Sequence, residues 1–225
     1  MEVNKIIARL NNLAKDNEEY LKFNSRIIND LKDIKFIGIR TPELRKIAKE
    51  VSKGDWRSFV SNNDWSIYEM KQIAFLLPTY LRKLSADEFF ELIDALMPHA
   101  SSWANCDALG LKLPYDSDTI WVKVKKYLDS DDAWAVRIGL NFVFANHLDE
   151  QNIERVANEV QKIDSRYHKP AKRGTLDYYV KMMLAWTLAE AAIKHRKIVE
   201  EVLPNLDSET AKDTRQKMRD SFRIK

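Results

Sequence analysis

The sequence predicts an all-α protein, and three observations carry the prediction. Apolar residues recur at helical spacing along nearly the whole chain, glycine is scarce (five in 225 residues), and no segment shows sustained apolar–polar alternation or an Asn-Gly hairpin signal. Short breaks join the predicted helices, and helix pairs recur at roughly the 40-residue spacing of HEAT-like repeats. The expected architecture is therefore an α-solenoid of HEAT-like helical repeats, with a concave binding face suited to an elongated ligand. A plain globular bundle satisfies the same periodicity. A chain of this length can bury a core of its own, and one domain over residues 1–225 is expected.

The elements follow in order. Ile6, Ile7, Leu10 and Leu13 form the apolar stripe of a first amphipathic helix. Thr41-Pro42-Glu43 is a start signal, with Thr41 as N-cap, Pro42 in the first turn and Leu44, Ile47, Ala48 and Val51 facing inward. A helix over residues 66–81 carries Ile73, Ala74, Leu76 and Leu77, with Pro78 bending or ending it. Ser85-Ala86-Asp87-Glu88 reads as a capping box that opens a helix through Met97, stopped by Pro98. Further helices are predicted over residues 102–112, 118–128, 132–147, 150–163, 176–194 and 208–222.

Charge and composition narrow the function classes. Lysine and arginine (37) barely outnumber aspartate and glutamate (34), so the net charge of +3 permits a nucleic-acid ligand without demanding one. The single cysteine forms no internal disulfide, which points to a reducing compartment, and the cytoplasm is expected. Residues 1–5 lack a signal-peptide core and no apolar run is long enough to span a bilayer, so no membrane partner is expected. The segment 165–175 carries Arg166, Lys169, Lys172 and Arg173 without an acid. It reads either as a solvated surface loop or as an arm that reaches a phosphate backbone.

The chemistry concentrates in Ser101-Ser102-Trp103-Ala104-Asn105-Cys106-Asp107, where an indole and a carboxylate stand at i and i+4 and share one helix face. Matching chemistry recurs at Arg137 and Trp186. With these helices side by side, two indoles, a carboxylate and a guanidinium would share a surface suited to a ligand that is cationic and carries sugar-phosphate, which points to DNA. Each residue also has a plainer reading. Asp107 could be a helix-start carboxylate, Trp103 and Trp186 core aromatics, and Arg137 the partner of Asp131 or Asp132. Cys106 reads as a packing residue, as do Trp56, Trp65, Trp121 and Trp134. His99, His147, His168 and His195 lack metal-ligand spacing, so neither a metal nor another cofactor is expected.

Four segments resemble a known family. Phe36-Ile37-Gly38-Ile39-Arg40-Thr41-Pro42-Glu43-Leu44-Arg45, Trp103-x-x-x-Asp107, Ala133-Trp134-Ala135-Val136-Arg137 and Tyr179-Val180-Lys181-Met182-Met183-Leu184-Ala185-Trp186 are similar, in that order, to HEAT-like-repeat DNA alkylation repair proteins. The best-known members are alkylpurine DNA glycosylases of the AlkD type. The resemblance implies a monomer that acts on double-stranded DNA with alkylated bases, without a cofactor. It implies that Asp107, Trp103 and Trp186 are catalytic and that Arg137 binds a phosphate; Lys169, Lys172 and Arg173 of the basic segment, and Lys181, are expected as further DNA contacts. Alkylation at purine N3 or N7 makes the base cationic and weakens the glycosidic bond. Asp107 would stabilise the sugar cation formed on cleavage and orient a water, while Trp103 and Trp186 offer their π faces to it. In the family the lesion is engaged through backbone and sugar rather than by burying a flipped base.

Active relatives also carry an aromatic side chain on an extra N-terminal helix. Here the register upstream of Gly38 reads Asn29, Asp30, Leu31 and Lys32, none of them aromatic, and Tyr20 and Phe23 lie further back. Two function classes follow: a glycosylase for cationic N3- or N7-alkylpurines, and a non-catalytic HEAT-like scaffold that binds nucleic acid or protein.

Overall fold

Local capping chemistry sets most helix starts in the computed structural model, which describes residues 2–14, 18–28, 34–167 and 170–223. Among these residues the structure is all-α, with twelve α-helices and one isolated parallel bridge between Lys35 and Ile67. The residues divide into two compact units between Leu109 and Gly110.

The first unit holds α1 (Val3–Leu13), α2 (Glu18–Ile27), α3 (Thr41–Val51), α4 (Trp56–Ser61), α5 (Tyr68–Leu76), α6 (Ala86–Leu96) and α7 (Trp103–Asp107). The capping box of α6 forms as the sequence predicts, with the Ser85 side chain accepting from Glu88 N and Glu88 accepting from Ser85 N. Thr41 is the first helical residue of α3 rather than its cap: Arg40 is the N-cap, and Pro42 occupies the first turn. The predicted helix over 66–81 is α5 followed by a 3-10 turn at Leu77–Tyr80, because Pro78 donates no backbone hydrogen bond. The predicted helix over 102–112 is only α7. The helices α2 and α4 are absent from the expected set for good reason, since α2 buries no residue and α4 buries only Phe59. The helix α2 carries Tyr20, Phe23 and Ile27 at helical spacing without burying them, and α4 is only six residues long. Packing of α3 and α7 against α5 builds a core around Leu44, Ile47, Met70, Ile73 and Phe75.

The second unit holds α8 (Ser117–Leu128), α9 (Ala133–Asn146), α10 (Ile153–Arg166), α11 (Leu176–Val202) and α12 (Ser208–Asp220). Asp116, Asp132, Thr175 and Asp207 cap α8, α9, α11 and α12 through their side chains. The helix α11 runs past the predicted residue 194 and breaks at His195, whose backbone (φ −127°, ψ 42°) is not helical. It packs against α9, α10 and α12, and α8 packs against α9. The α8–α9 approach depends on Gly139, where a Cβ would lie 2.8 Å from Leu128 Cδ2.

An internal ion cluster ties α11 to α12. Lys181, 1% exposed, places Nζ 2.9 Å from Asp207 Oδ1 and 3.0 Å from Glu209 Oε2. Burial works against the Lys181 ammonium, but the two carboxylates outweigh it and raise its pKa. Burial likewise opposes the Asp207 carboxylate, yet the Lys181 hydrogen bond and backbone donors hold it below its ordinary value. Glu209 is held down by the Ala171 N–H and by Lys181. Folded-state carboxylate pKa values below the unfolded ones mean stability that is complete above about pH 4 and is lost as pH falls through the lowered values. The raised Lys181 value adds stability that persists until pH rises beyond the ordinary lysine range. K181M is expected to destabilise the protein by about 2 kcal/mol at pH 7, the partial exposure of the carboxylates keeping the loss below that of a fully buried pair. The gap to the wild type should narrow as pH falls below 4. Thermal melts of both proteins between pH 3 and 7 measure it, and a constant gap would remove the cluster as its cause.

Candidate functional site

The predicted indole–carboxylate pair lies in the first unit, and polar side chains of α5 hold its helix. Asn105, fully buried, donates from Nδ2 to Gln72 Oε1 at 2.7 Å and accepts from Ser101 N at 3.3 Å. Gln72 Nε2 donates to the Ala104 carbonyl at 3.2 Å, and Lys71 Nζ donates to Ser101 Oγ at 2.9 Å. Ser102 caps α7 by accepting from Asn105 N. These bonds consume the inward face of α7 together with buried Cys106, and they leave Trp103 and Asp107 half-buried. The Trp103 indole N–H donates to the Ile27 carbonyl at the end of α2, at 3.3 Å. The orientation of this indole thus depends on α2.

The signature loop before α3 is organised by a carboxylate that sequence reasoning missed. Glu69 on α5, with no exposed surface, accepts from the backbone N–H groups of Ile37 (3.0 Å), Gly38 (2.7 Å) and Ile39 (3.3 Å). Burial pushes its pKa up, and the backbone donors offset only part of that. Gly38 has φ +89°, and a Cβ there would lie 3.0 Å from Leu21 Cβ on α2. Both its conformation and the approach of α2 therefore require glycine. On α2, Tyr20 lies under the Arg40 guanidinium (4.7 Å to the ring centroid), and Phe23 is 62% exposed. Asn29, Asp30, Leu31 and Lys32 lie outside the described residues.

In the second unit, Arg137 braces two helices. It is 4% exposed, and its Nη1 donates to the Tyr179 carbonyl at 2.5 Å, joining α9 to α11. Trp134 stacks on Tyr179 with ring centroids 5.4 Å apart. Asp132 caps α9 through Trp134 N. Trp186 on α11 is 47% exposed, which sets aside its reading as a core aromatic. Phe144 meets its ring edge-on at 6.0 Å, and Lys217 Nζ lies 5.3 Å from its centroid.

Residues 6–223 match the family described as DNA alkylation repair enzyme. The chain belongs to that family. No individual curated protein matches closely enough to add a named relative. Membership brings a role in DNA alkylation repair, and it covers both units and all four resembling segments.

Within this repair enzyme family chain, the expected DNA contacts fall into separate groups. Lys172 and Arg173 are exposed in the segment between α10 and α11, beside a turn at Gly174 (φ +91°), whereas Lys169 lies outside the described residues. Lys181 has its charge engaged inside by Asp207 and Glu209, so a phosphate would have to compete with two carboxylates for a buried ammonium. Among the described residues no three histidine, cysteine, aspartate or glutamate side chains cluster as metal ligands, and no helix is long and apolar enough to cross a membrane. The residues that sequence reasoning missed are Glu69, Asn105, Gln72 and the Ile27 carbonyl. All act through long-range hydrogen bonds that leave no local periodic signal.

Proposed function

We propose that the protein is a DNA glycosylase that hydrolyses the N-glycosidic bond of cationic N3- or N7-alkylated purines in duplex DNA. One observation carries this reading beyond family membership. The pair Trp103 and Asp107 remains half-buried on a helix whose inward face is fully committed to α5, so a π face and a carboxylate are held in place yet within reach of a ligand. Asp107 would stabilise the developing sugar cation and align the attacking water. Trp103 and Trp186 would present their π faces to positive charge, the Trp186 face already doing so for Lys217. Arg137, 4% exposed and donating to the Tyr179 carbonyl, would have to exchange an internal contact for a phosphate, and Lys172 and Arg173 would follow the backbone.

The chain works under this reading as a single monomeric module, its helix pairs stacked as HEAT-like repeats around the duplex. The deciding measurement is release of free 7-methylguanine from duplex DNA by the full chain. Release above the spontaneous rate is expected. Tight duplex binding without release would move the protein to the non-catalytic scaffold reading.

A further inference from the structure

Beside Trp186 lies an open pocket of about 310 Å³, lined by Trp186 and Glu190 of α11, Lys217 and Asp220 of α12, and Phe222 and Arg223 beyond α12. Its outer wall is built, not incidental. The backbone leaves α12 at Ser221 in an extended conformation (φ −81°, ψ 117°). Arg223 then reaches back to α11 and grips the Glu190 carboxylate with two guanidinium nitrogens, Nη1 at 2.9 Å and Nη2 at 2.5 Å. This fork fixes the segment after α12 against α11. Between its anchor and the helix stands Phe222, 90% exposed. A large aromatic ring held in water on an anchored segment gains nothing from the core, whereas the base step of a duplex into which it wedged would cover it.

The other occupant of the pocket is a cation. Lys217 holds its ammonium 5.3 Å from the Trp186 ring centroid, on an indole that is nearly half exposed. Such a contact is weak at an exposed site and easily exchanged. The reading of Trp186 as the partner of a sugar cation creates a conflict here, since two positive charges repel over one indole. The conflict resolves if Lys217 swings from the ring to a neighbouring phosphate as DNA arrives, releasing a condensed counterion.

We propose that the pocket beside Trp186 is a DNA subsite in which Lys217 takes a backbone phosphate and Phe222 wedges into the adjoining base step, partly unstacking it. The proposal rests on the reading of the chain as a DNA-processing enzyme and adds two residues to its interface. Neither contributes to the ion cluster or to the core, so their replacement leaves the fold in place.

The test is binding of an undamaged duplex by the full chain across a range of salt. K217A is expected to lower affinity about 3- to 10-fold at low salt and to make the salt slope shallower by about one, while K217R restores both. F222A is expected to lower affinity about 5-fold or more with an unchanged salt slope, and F222W to restore it. A merely structural role would not separate a slope-changing variant from a slope-neutral one. Wild-type affinity and slope in either alanine variant, with the fold intact, overturns the subsite. Failure of the unaltered chain to bind duplex overturns the DNA reading itself, and the subsite with it; binding and excision by the unaltered chain, with both variants unaffected, overturns the subsite alone.

Discussion

D107N should reduce excision of 7-methylguanine by about 10²–10⁴-fold, the range expected when a positioned charge or base is lost from a transition state. The substitution keeps the shape of the side chain and removes only its ionisation. Ser102, Asn105, Gln72 and Lys71 hold α7 through side-chain bonds of their own. Thermal stability and affinity for undamaged duplex should therefore stay close to the unaltered protein, which separates a chemical effect from a folding one. Single-turnover excision under excess enzyme reads the chemical step directly. Excision near the wild-type rate would remove Asp107 from the mechanism and leave the indoles and phosphate contacts to account for catalysis.

A duplex with cationic 7-methylguanine should be processed while one with neutral 1,N6-ethenoadenine is left intact, a difference of at least about 100-fold. A neutral base needs a proton donor to leave, and among the described residues none of His99, His147 and Glu69 offers one. Burial and the nearby Lys71 charge lower the His99 pKa, and its ring lies flat on Trp65 at 3.7 Å between centroids. Burial also lowers that of His147, whose Nε2 lies 3.0 Å from the Ser117 carbonyl. Lowered values keep both imidazoles neutral at pH 7, so neither is a ready acid. Glu69 has a raised pKa, but its oxygens are engaged by the N–H groups of Ile37, Gly38 and Ile39 inside the first unit. A cationic purine brings its own activation, and stabilising the sugar cation then suffices. Comparable excision of both lesions would reveal a general acid outside this set.

The half-buried pair on α7 illustrates how far a sequence can be read. The i, i+4 spacing of Trp103 and Asp107 put them on one face of a helix, and the structure keeps both half-buried on a helix that is shorter than expected. The lysine of the second tryptophan segment illustrates the opposite. Nothing near Lys181 in the chain distinguishes it from a surface cation, because its partners Asp207 and Glu209 are 26 and 28 residues away. The same distance problem hid Glu69, which serves a loop some 30 residues before it.

Helix content, the capping box at Ser85, the interruption at Pro78 and the family signature were all determined by the sequence alone. Each rests on residues a few positions apart, whose backbone geometry and side-chain spacing are local properties. Tertiary structure alone decided which polar side chains are spent inside and which remain available. It gave the Trp103 indole its acceptor at Ile27, 76 residues away, turned Arg137 onto the Tyr179 carbonyl, buried Lys181 and left Trp186 facing water beneath Lys217. The physical reason is that burial and pairing depend on which helices meet. A charged or aromatic side chain carries the same local signal whether it braces a core or waits for a ligand.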